Sequence, residues 1–176
     1  MSRCMSYLLR HDPGKLKMDQ HGFVDIGELL QELRERYRID EKFIVEVVEK
    51  SDRRRFEIVG NKIRALYGHT IPVKLEFEED EIVKLFYHGT TPEAASRILR
   101  IGLKPMRRSW VHLSPTIEMA TEVGLRRTMN PVILEINAEA ARKNSLRFYK
   151  VTDKVYVCNA VLPRYLKKLH SASAHS

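Results

Sequence analysis

Arg55-Phe56-Glu57-Ile58-Val59-Gly60-Asn61-Lys62-Ile63-Arg64-Ala65-Leu66-Tyr67 decides how the N-terminal half folds. Two β-rich runs flank a two-residue Gly-Asn loop, the pattern of a tight hairpin. Alternation along the second run sends Ile63 and Ala65 to one face and Arg64 to the other. If the apolar face packs on neighbouring helices, Arg64 points outward, where a ligand can meet it. An outward arginine is ordinarily solvated surface, so this position alone assigns no role.

Helical patterns precede the hairpin. Met5, Leu8 and Leu9 lie on one side of a short helix over residues 4–10. Asp25 is placed to cap a second helix, with Glu28 in the capping-box position. Ile26, Leu29, Leu30 and Leu33 follow at helical spacing. A third start falls at Asp40, ahead of Phe43, Ile44, Val47 and Val48. Helices followed by a hairpin wing resemble a winged helix, a motif used mostly for nucleic acid, and fold analogy alone carries that no further.

Beyond the hairpin, Phe77-Glu78-Glu79-Asp80-Glu81 reads as an acidic linker. After it, strand-like runs appear at residues 85–87, 111–113, 132–136 and 155–157. One helix begins at Thr91-Pro92 and stops before Gly102, and another covers about Glu118 to Val123. The fold class expected is therefore α+β, with lobes over 1–76 and 82–169 joined by 77–81. Residues 170–176 have too little apolar content to fold and are expected as a loose tail.

The formal charge is +8, unevenly spread. Residues 1–76 carry 15 basic and 13 acidic side chains, whereas residues 82–176 carry 16 basic against 6 acidic. A basic half suits a polyanion such as nucleic acid or a dinucleotide, and equally a generally basic surface. Two cysteines, Cys4 and Cys158, make neither a disulfide framework nor a metal motif. No apolar run approaches the roughly 18 residues of a membrane span. Arg10, His11 and Asp12 interrupt the only apolar stretch near the N-terminus, so no signal peptide and a cytoplasmic location are expected.

Chemistry is expected where polar residues close apolar elements. Arg10 and His11 adjoin at a helix end before Pro13, offering a planar fork and a titratable ring to an oxyanion. They can equally complement the helix dipole. Tyr87-His88-Gly89-Thr90 closes a strand, with a glycine that permits close backbone approach. Val111-His112-Leu113-Ser114 does the same, and alternation puts His112 and Ser114 on one face. Val123-Gly124-Leu125-Arg126-Arg127 ends a helix. No HExxH, paired CxxC, P-loop or GxGxxG occurs, and the seven histidines are scattered, so no metal site is expected.

In order along the chain, these stretches resemble the RNA 2′-phosphotransferase family. They are Tyr7 to Pro13, Arg55 to Ile58, Ile63 to Ala65, Gly68-His69-Thr70, Tyr87 to Thr90, Val111 to Ser114 and Val123 to Arg126. The similarity spans about residues 4 to 166, and seven short motifs in sequence are specific where no single one is. The resemblance implies a winged-helix RNA-binding lobe followed by an ADP-ribosyltransferase-like lobe that holds NAD as co-substrate. It implies an internal RNA 2′-phosphate, in spliced tRNA above all, that attacks the nicotinamide ribose to give an ADP-ribosylated RNA. The ribose 2″-hydroxyl then takes the phosphate, leaving 2′-OH RNA, ADP-ribose 1″,2″-cyclic phosphate and nicotinamide.

Carried over by motif, Arg10, His11, Arg64 and Arg126 form the catalytic set. His88, Gly89, Thr90, His112 and Ser114 form the NAD contacts. Arg127 adjoins Arg126, and the offset from Val123-Gly124 favours Arg126. Thr70 stands where the family more often has serine, which keeps the hydroxyl. No obligate protein partner is implied. Two rival readings remain: an ADP-ribosyltransferase that stops on a nucleic-acid phosphate, and a non-catalytic winged-helix binder.

Overall fold

The computed structural model describes residues 1–169, so the tail expected at 170–176 lies outside the described residues. The architecture is α+β, with six α-helices and three antiparallel sheets among the described residues. The chain divides into two compact units. One comprises Met1–Glu76 with Arg107–Ser109, and the other Phe77–Met106 with the chain from Trp110 onward.

In the first unit, helix α1 (Ser2–Arg10) buries Met5, Leu8 and Leu9. Strand β1 (Val24–Asp25) leads directly into α2 (Ile26–Arg34), and α3 (Glu41–Glu49) follows. The hairpin forms as the Gly60-Asn61 loop requires, with β2 (Phe56–Val59) against β3 (Lys62–Ala65). Gly60 has φ +59°, a conformation costly for other residues. Strand β1 adds to the far side of β3, giving the sheet order β1-β3-β2. Ile63 and Ala65 are fully buried with Met5, Leu9, Leu29, Leu33, Ile44 and Phe56.

Asp25 caps α2 as expected, accepting from Gly27 N–H at 2.7 Å and Glu28 N–H at 3.2 Å. Its other oxygen accepts from the Asn61 amide at 2.7 Å, which ties the hairpin tip to the helix start. The capping box does not close. Glu28 instead accepts from Lys17 N–H at 3.2 Å. On α3 only Ile44 is fully buried; Phe43 is exposed.

In the second unit, β4 (Glu78–Asp80) is the edge of a four-stranded sheet, not the linker its acidity suggests. It pairs with β8 (Phe148–Thr152), placing Glu78 opposite Lys150. Arg142 fixes the end of β4, donating to the Asp80 carboxylate at 2.6 Å and to the Val83 carbonyl at 2.6 Å. Opposite charge across and behind the strand lets an acidic run pair. The sheet continues through β9 (Val155–Cys158) to β6 (Val111–Leu113), in the order β4-β8-β9-β6.

A second sheet has β7 (Val132–Asn137) between β5 (Leu85–Thr90) and β10 (Leu166–Leu169). Helices α4 (Pro92–Ile101), α5 (Ile117–Leu125) and α6 (Ala138–Arg142) complete the unit. Thr91 caps α4 and Thr116 caps α5, each accepting from an N–H three residues on at 3.2 Å. Phe86, Phe148 and Tyr156 meet at the centre of this core, with ring centroids 4.8–5.2 Å apart.

Candidate active site

The first unit gathers most of its chemistry around the end of α1. Arg10 leaves the last turn of that helix with its guanidinium 4.9 Å from the Tyr67 ring centroid and 5.9 Å from that of Phe56. Its Nε and Nη2 are buried and make no hydrogen bond within the protein. Burial lowers the Arg10 pKa to about 10; Tyr67 opposes the shift, and Arg108 and Arg55 add to it. The group stays charged at neutral pH, so two buried N–H donors of a cation lack acceptors. Such donors are costly unless something supplies an acceptor.

Gly68 lies against this arginine. With φ +88° it turns the chain after β3, and a Cβ there would lie 3.5 Å from Arg10 Cδ and Nη1. Thr70 then returns to α1: its N–H donates to the Arg10 carbonyl at 2.9 Å, and its hydroxyl bonds His11 Nδ1 at 3.0 Å. The segment from Gly68 to Thr70 therefore holds both Arg10 and His11 by main chain and side chain. The His11 pKa is lowered by partial burial first, then by Arg10 and Arg108.

Between them lies His69, only 3% exposed, with neither ring nitrogen hydrogen-bonded. Its pKa falls to about 4, through burial first and then the charges of Arg10, His11 and Arg64. His69 is thus a neutral ring at neutral pH, within electrostatic reach of three of the four residues expected to be catalytic. Arg64, on β3, faces away from the core as its alternation requires, but it is not loose in solvent. Its Nε and Nη2 both donate to Glu57 Oε2, at 2.9 and 2.8 Å, and its guanidinium lies 4.4 Å above the Phe23 ring.

Sequence reasoning brought Arg10, His11 and Arg64 forward, quoted His69 and Glu57 within motifs without giving them a role, and left out Phe23. Glu57 is Arg64's cross-strand partner, Phe23 its platform, and His69 the buried ring in their midst. The partnership of Glu57 could have been found by pairing the two hairpin strands about Gly60-Asn61. Nothing in sequence spacing indicates Phe23.

In the second unit, Arg126 stands at the C-terminal cap of α5, and both it and Arg127 are exposed. Helix α5 packs directly on β5 through two glycines. A Cβ on Gly89 would collide with the Ala120 carbonyl, and one on Gly124 would lie 2.5 Å from Pro131 Cβ and 3.4 Å from the Gly89 carbonyl carbon. Close approach is indeed why Gly89 is glycine, and the group approaching is a helix backbone.

The ends of β5 and β6 meet where Tyr87 and Ser114 exchange two backbone hydrogen bonds of 2.8 Å, joining the unit's two sheets. There His88 Nδ1–H donates to the His112 carbonyl at 3.0 Å. Both histidines are half-buried, whereas Thr90 and Ser114 are 2% and 6% exposed. His88 and His112 are thus more exposed than Thr90 and Ser114 at this junction. Among the described residues, no three His, Cys, Asp or Glu side chains group to hold a metal ion, and no helix is long and apolar enough to cross a membrane.

The model of the RNA 2′-phosphotransferase, Tpt1 / KptA family matches residues 1–160. The chain is 41% identical to a protein of Pyrococcus abyssi over 164 residues, covering 92% of this chain and 90% of that one. It is 39% identical to one of Acetivibrio thermocellus over 172 residues, covering 95% and 94%. The match to one of Pyrobaculum aerophilum is 40% over 172 residues, covering 96% and 80%. Each of the three is named "Probable RNA 2'-phosphotransferase". The chain belongs to the RNA 2′-phosphotransferase family.

Proposed function

We propose that this protein moves an internal 2′-phosphate from RNA, spliced tRNA in particular, to NAD. The products are RNA with a free 2′-hydroxyl, ADP-ribose 1″,2″-cyclic phosphate and nicotinamide. One observation carries the reading: in a chain of this family, Arg10, His11 and Arg64 all act on the buried His69, so they share one small cationic region. In this reading the first unit is a winged-helix lobe that holds RNA. The second is an ADP-ribosyltransferase-like lobe that holds NAD.

A phosphate monoester is already anionic, so its attack needs positioning and charge stabilisation more than a base. The unsatisfied Nε–H and Nη2–H of Arg10 are donors in want of an oxyanion. Arg64, steadied by Glu57 and Phe23, supplies a second fork, and Arg126 is the fourth member of the set. His11, held through Nδ1 by Thr70, gives a hydrogen bond to phosphate and then a proton to the departing RNA 2′-oxygen. A bound dianion favours the protonated ring that this requires.

The β5–β6 junction fits a dinucleotide by the chemistry of its donors. His88 and His112 would hydrogen-bond sugar or pyrophosphate oxygens, Thr90 and Ser114 would shape the floor, and Gly89 would keep α5 close to it. NAD supplies a ribose carbon bearing a cationic leaving group.

The deciding experiment incubates the protein with NAD and a short oligonucleotide bearing one internal 2′-phosphate. Loss of that phosphate with release of nicotinamide and the cyclic phosphate is the expected result. ADP-ribose retained on the RNA would replace the reading by an ADP-ribosyltransferase that halts at the first transfer. RNA binding with no consumption of NAD would replace it by a winged-helix binder.

A further inference from the structure

Three residues stand in a row on helix α1. Arg3 and Tyr7 are exposed, Tyr7 at 54%, and His11 follows at the C-cap with its ring centroid 6.0 Å from that of Tyr7. Residues four apart on a helix are neighbours, so positions 3, 7 and 11 form one ridge with roughly 5–6 Å between successive members. Met5, Leu8 and Leu9 are buried on the opposite face. A large aromatic ring thus lies open beside the histidine of the proposed catalytic set, and a cation lies one turn beyond it.

Charge singles this ridge out. Helix α1 contains Arg3 and Arg10 and no acidic residue, although basic and acidic side chains nearly balance over residues 1–76. The nearest acid in sequence, Asp12, lies past His11, where its carboxylate accepts from Gly14 N–H at 3.0 Å. Helix α3 follows α2 as a recognition helix follows its partner in helix-turn-helix proteins. Its charge is the reverse of that role: Glu41, Glu46 and Glu49 are exposed, against the single lysine Lys42. A polyanion is repelled by α3 and drawn to α1.

We propose that the exposed ridge of α1 is the track for the RNA strand next to the 2′-phosphate, with a base stacked on Tyr7 and the following backbone phosphate at Arg3. The assignment rests on the function proposed above and gives the first lobe a route for RNA that avoids α3. With the 2′-phosphate at His11, one step along the ridge brings the strand to an aromatic face, and the next brings it to a guanidinium. Every base has a face that can stack on tyrosine, so the ridge recognises a single strand and not a sequence.

The test follows binding of a short 2′-phosphorylated oligonucleotide without NAD, by fluorescence anisotropy, and its turnover with NAD. Failure of wild-type protein to turn the oligonucleotide over overturns the proposed function itself, before any variant is made. Given turnover, Tyr7→Leu should bind about tenfold more weakly, with the loss in KM and not in kcat, and Tyr7→Phe should bind as wild type does. A single abasic nucleotide moved along the strand should find one position beside the 2′-phosphate where wild-type protein loses a similar factor and Tyr7→Leu loses nothing more. Arg3→Gln should reduce the slope of log affinity against log salt by about 0.7, the share of one phosphate contact on a single strand, and Lys42→Gln should leave it unchanged. Full affinity in Tyr7→Leu, or losses that simply add at every abasic position, would mean that no base rests on Tyr7. A slope unmoved by Arg3→Gln would take the strand off α1, and one lowered by Lys42→Gln would send it over α3. Any of these results overturns the ridge and leaves the proposed function standing.

Discussion

Glu57 lies directly across the β2–β3 ladder from Arg64 and takes both Nε and Nη2 of its guanidinium on a single oxygen. Both side chains are about three-quarters covered, at 25% and 22% exposure, so the pair is shielded more than a surface bridge is. The carboxylate fixes the direction of the fork, and Phe23 fixes its plane. With Arg64 in the proposed catalytic set, Glu57→Ala is expected to leave the charge and free its aim. Turnover should fall about tenfold while KM for RNA holds or drops, because one repelling carboxylate has gone. Steady-state kinetics separate the two; a rise in KM with unchanged kcat would show that Glu57 does not serve through Arg64.

Arg10→Ala, Arg64→Ala and Arg126→Ala are each expected to lose about 10²–10³ in rate, the usual effect of removing one donor from a transition-state anion. Lysine should rescue poorly at Arg10, whose two buried donors point from a planar group. Circular dichroism establishes that each variant folds, and single-turnover assays then measure the loss. Near-normal turnover in any variant would remove that arginine from the mechanism. If Arg127→Ala were impaired and Arg126→Ala were not, the assignment would move by one residue.

His69 carries a pH dependence of stability. Its pKa of about 4 in the folded protein lies below the ordinary histidine value of 6.5, so the unfolded chain binds its proton first as pH falls. Stability is complete above about pH 6.5, declines as pH drops toward 4, and loses nothing further from this group below that. The full span is on the order of 3 kcal/mol. Urea midpoints between pH 7.5 and 4.5 should show the decline in wild-type protein and a reduced slope in His69→Gln. Parallel slopes would mean that other groups carry the effect.

Gly89→Ala is expected to fail as a packing defect. The new methyl would collide with the Ala120 carbonyl on α5, and backbone cannot move aside as a flexible side chain would. A loss of at least about 1–3 kcal/mol should follow, with a lowered Tm. A variant with unchanged Tm but weakened NAD binding would return Gly89 to the role the motif suggested.

The parts that could be read from sequence share one property: the signal is local. The Gly60-Asn61 hairpin, the caps at Asp25, Asp40 and Thr91, and the apolar spacing of α1 and α2 each follow from a few adjacent residues. What stayed hidden depends on partners far along the chain. The acidic run at 77–81 looks like a linker until Lys150 and Arg142 are brought against it. Strands β8 and β10 carry lysines that blur their alternation, and β1 has only two residues. At the site, Arg10 and Arg64 stood out as cations beside apolar elements. The burial of His69 is a property of the folded chain alone.

Sealed donors on Arg10 have one more consequence. An enclosed cation without acceptors leaves the ligand-free protein less settled than it would be with an oxyanion in place. Substrate should therefore act as a conformational stabiliser as well as a reactant, tightening the junction of α1 with the Gly68–Thr70 turn and slowing amide exchange there.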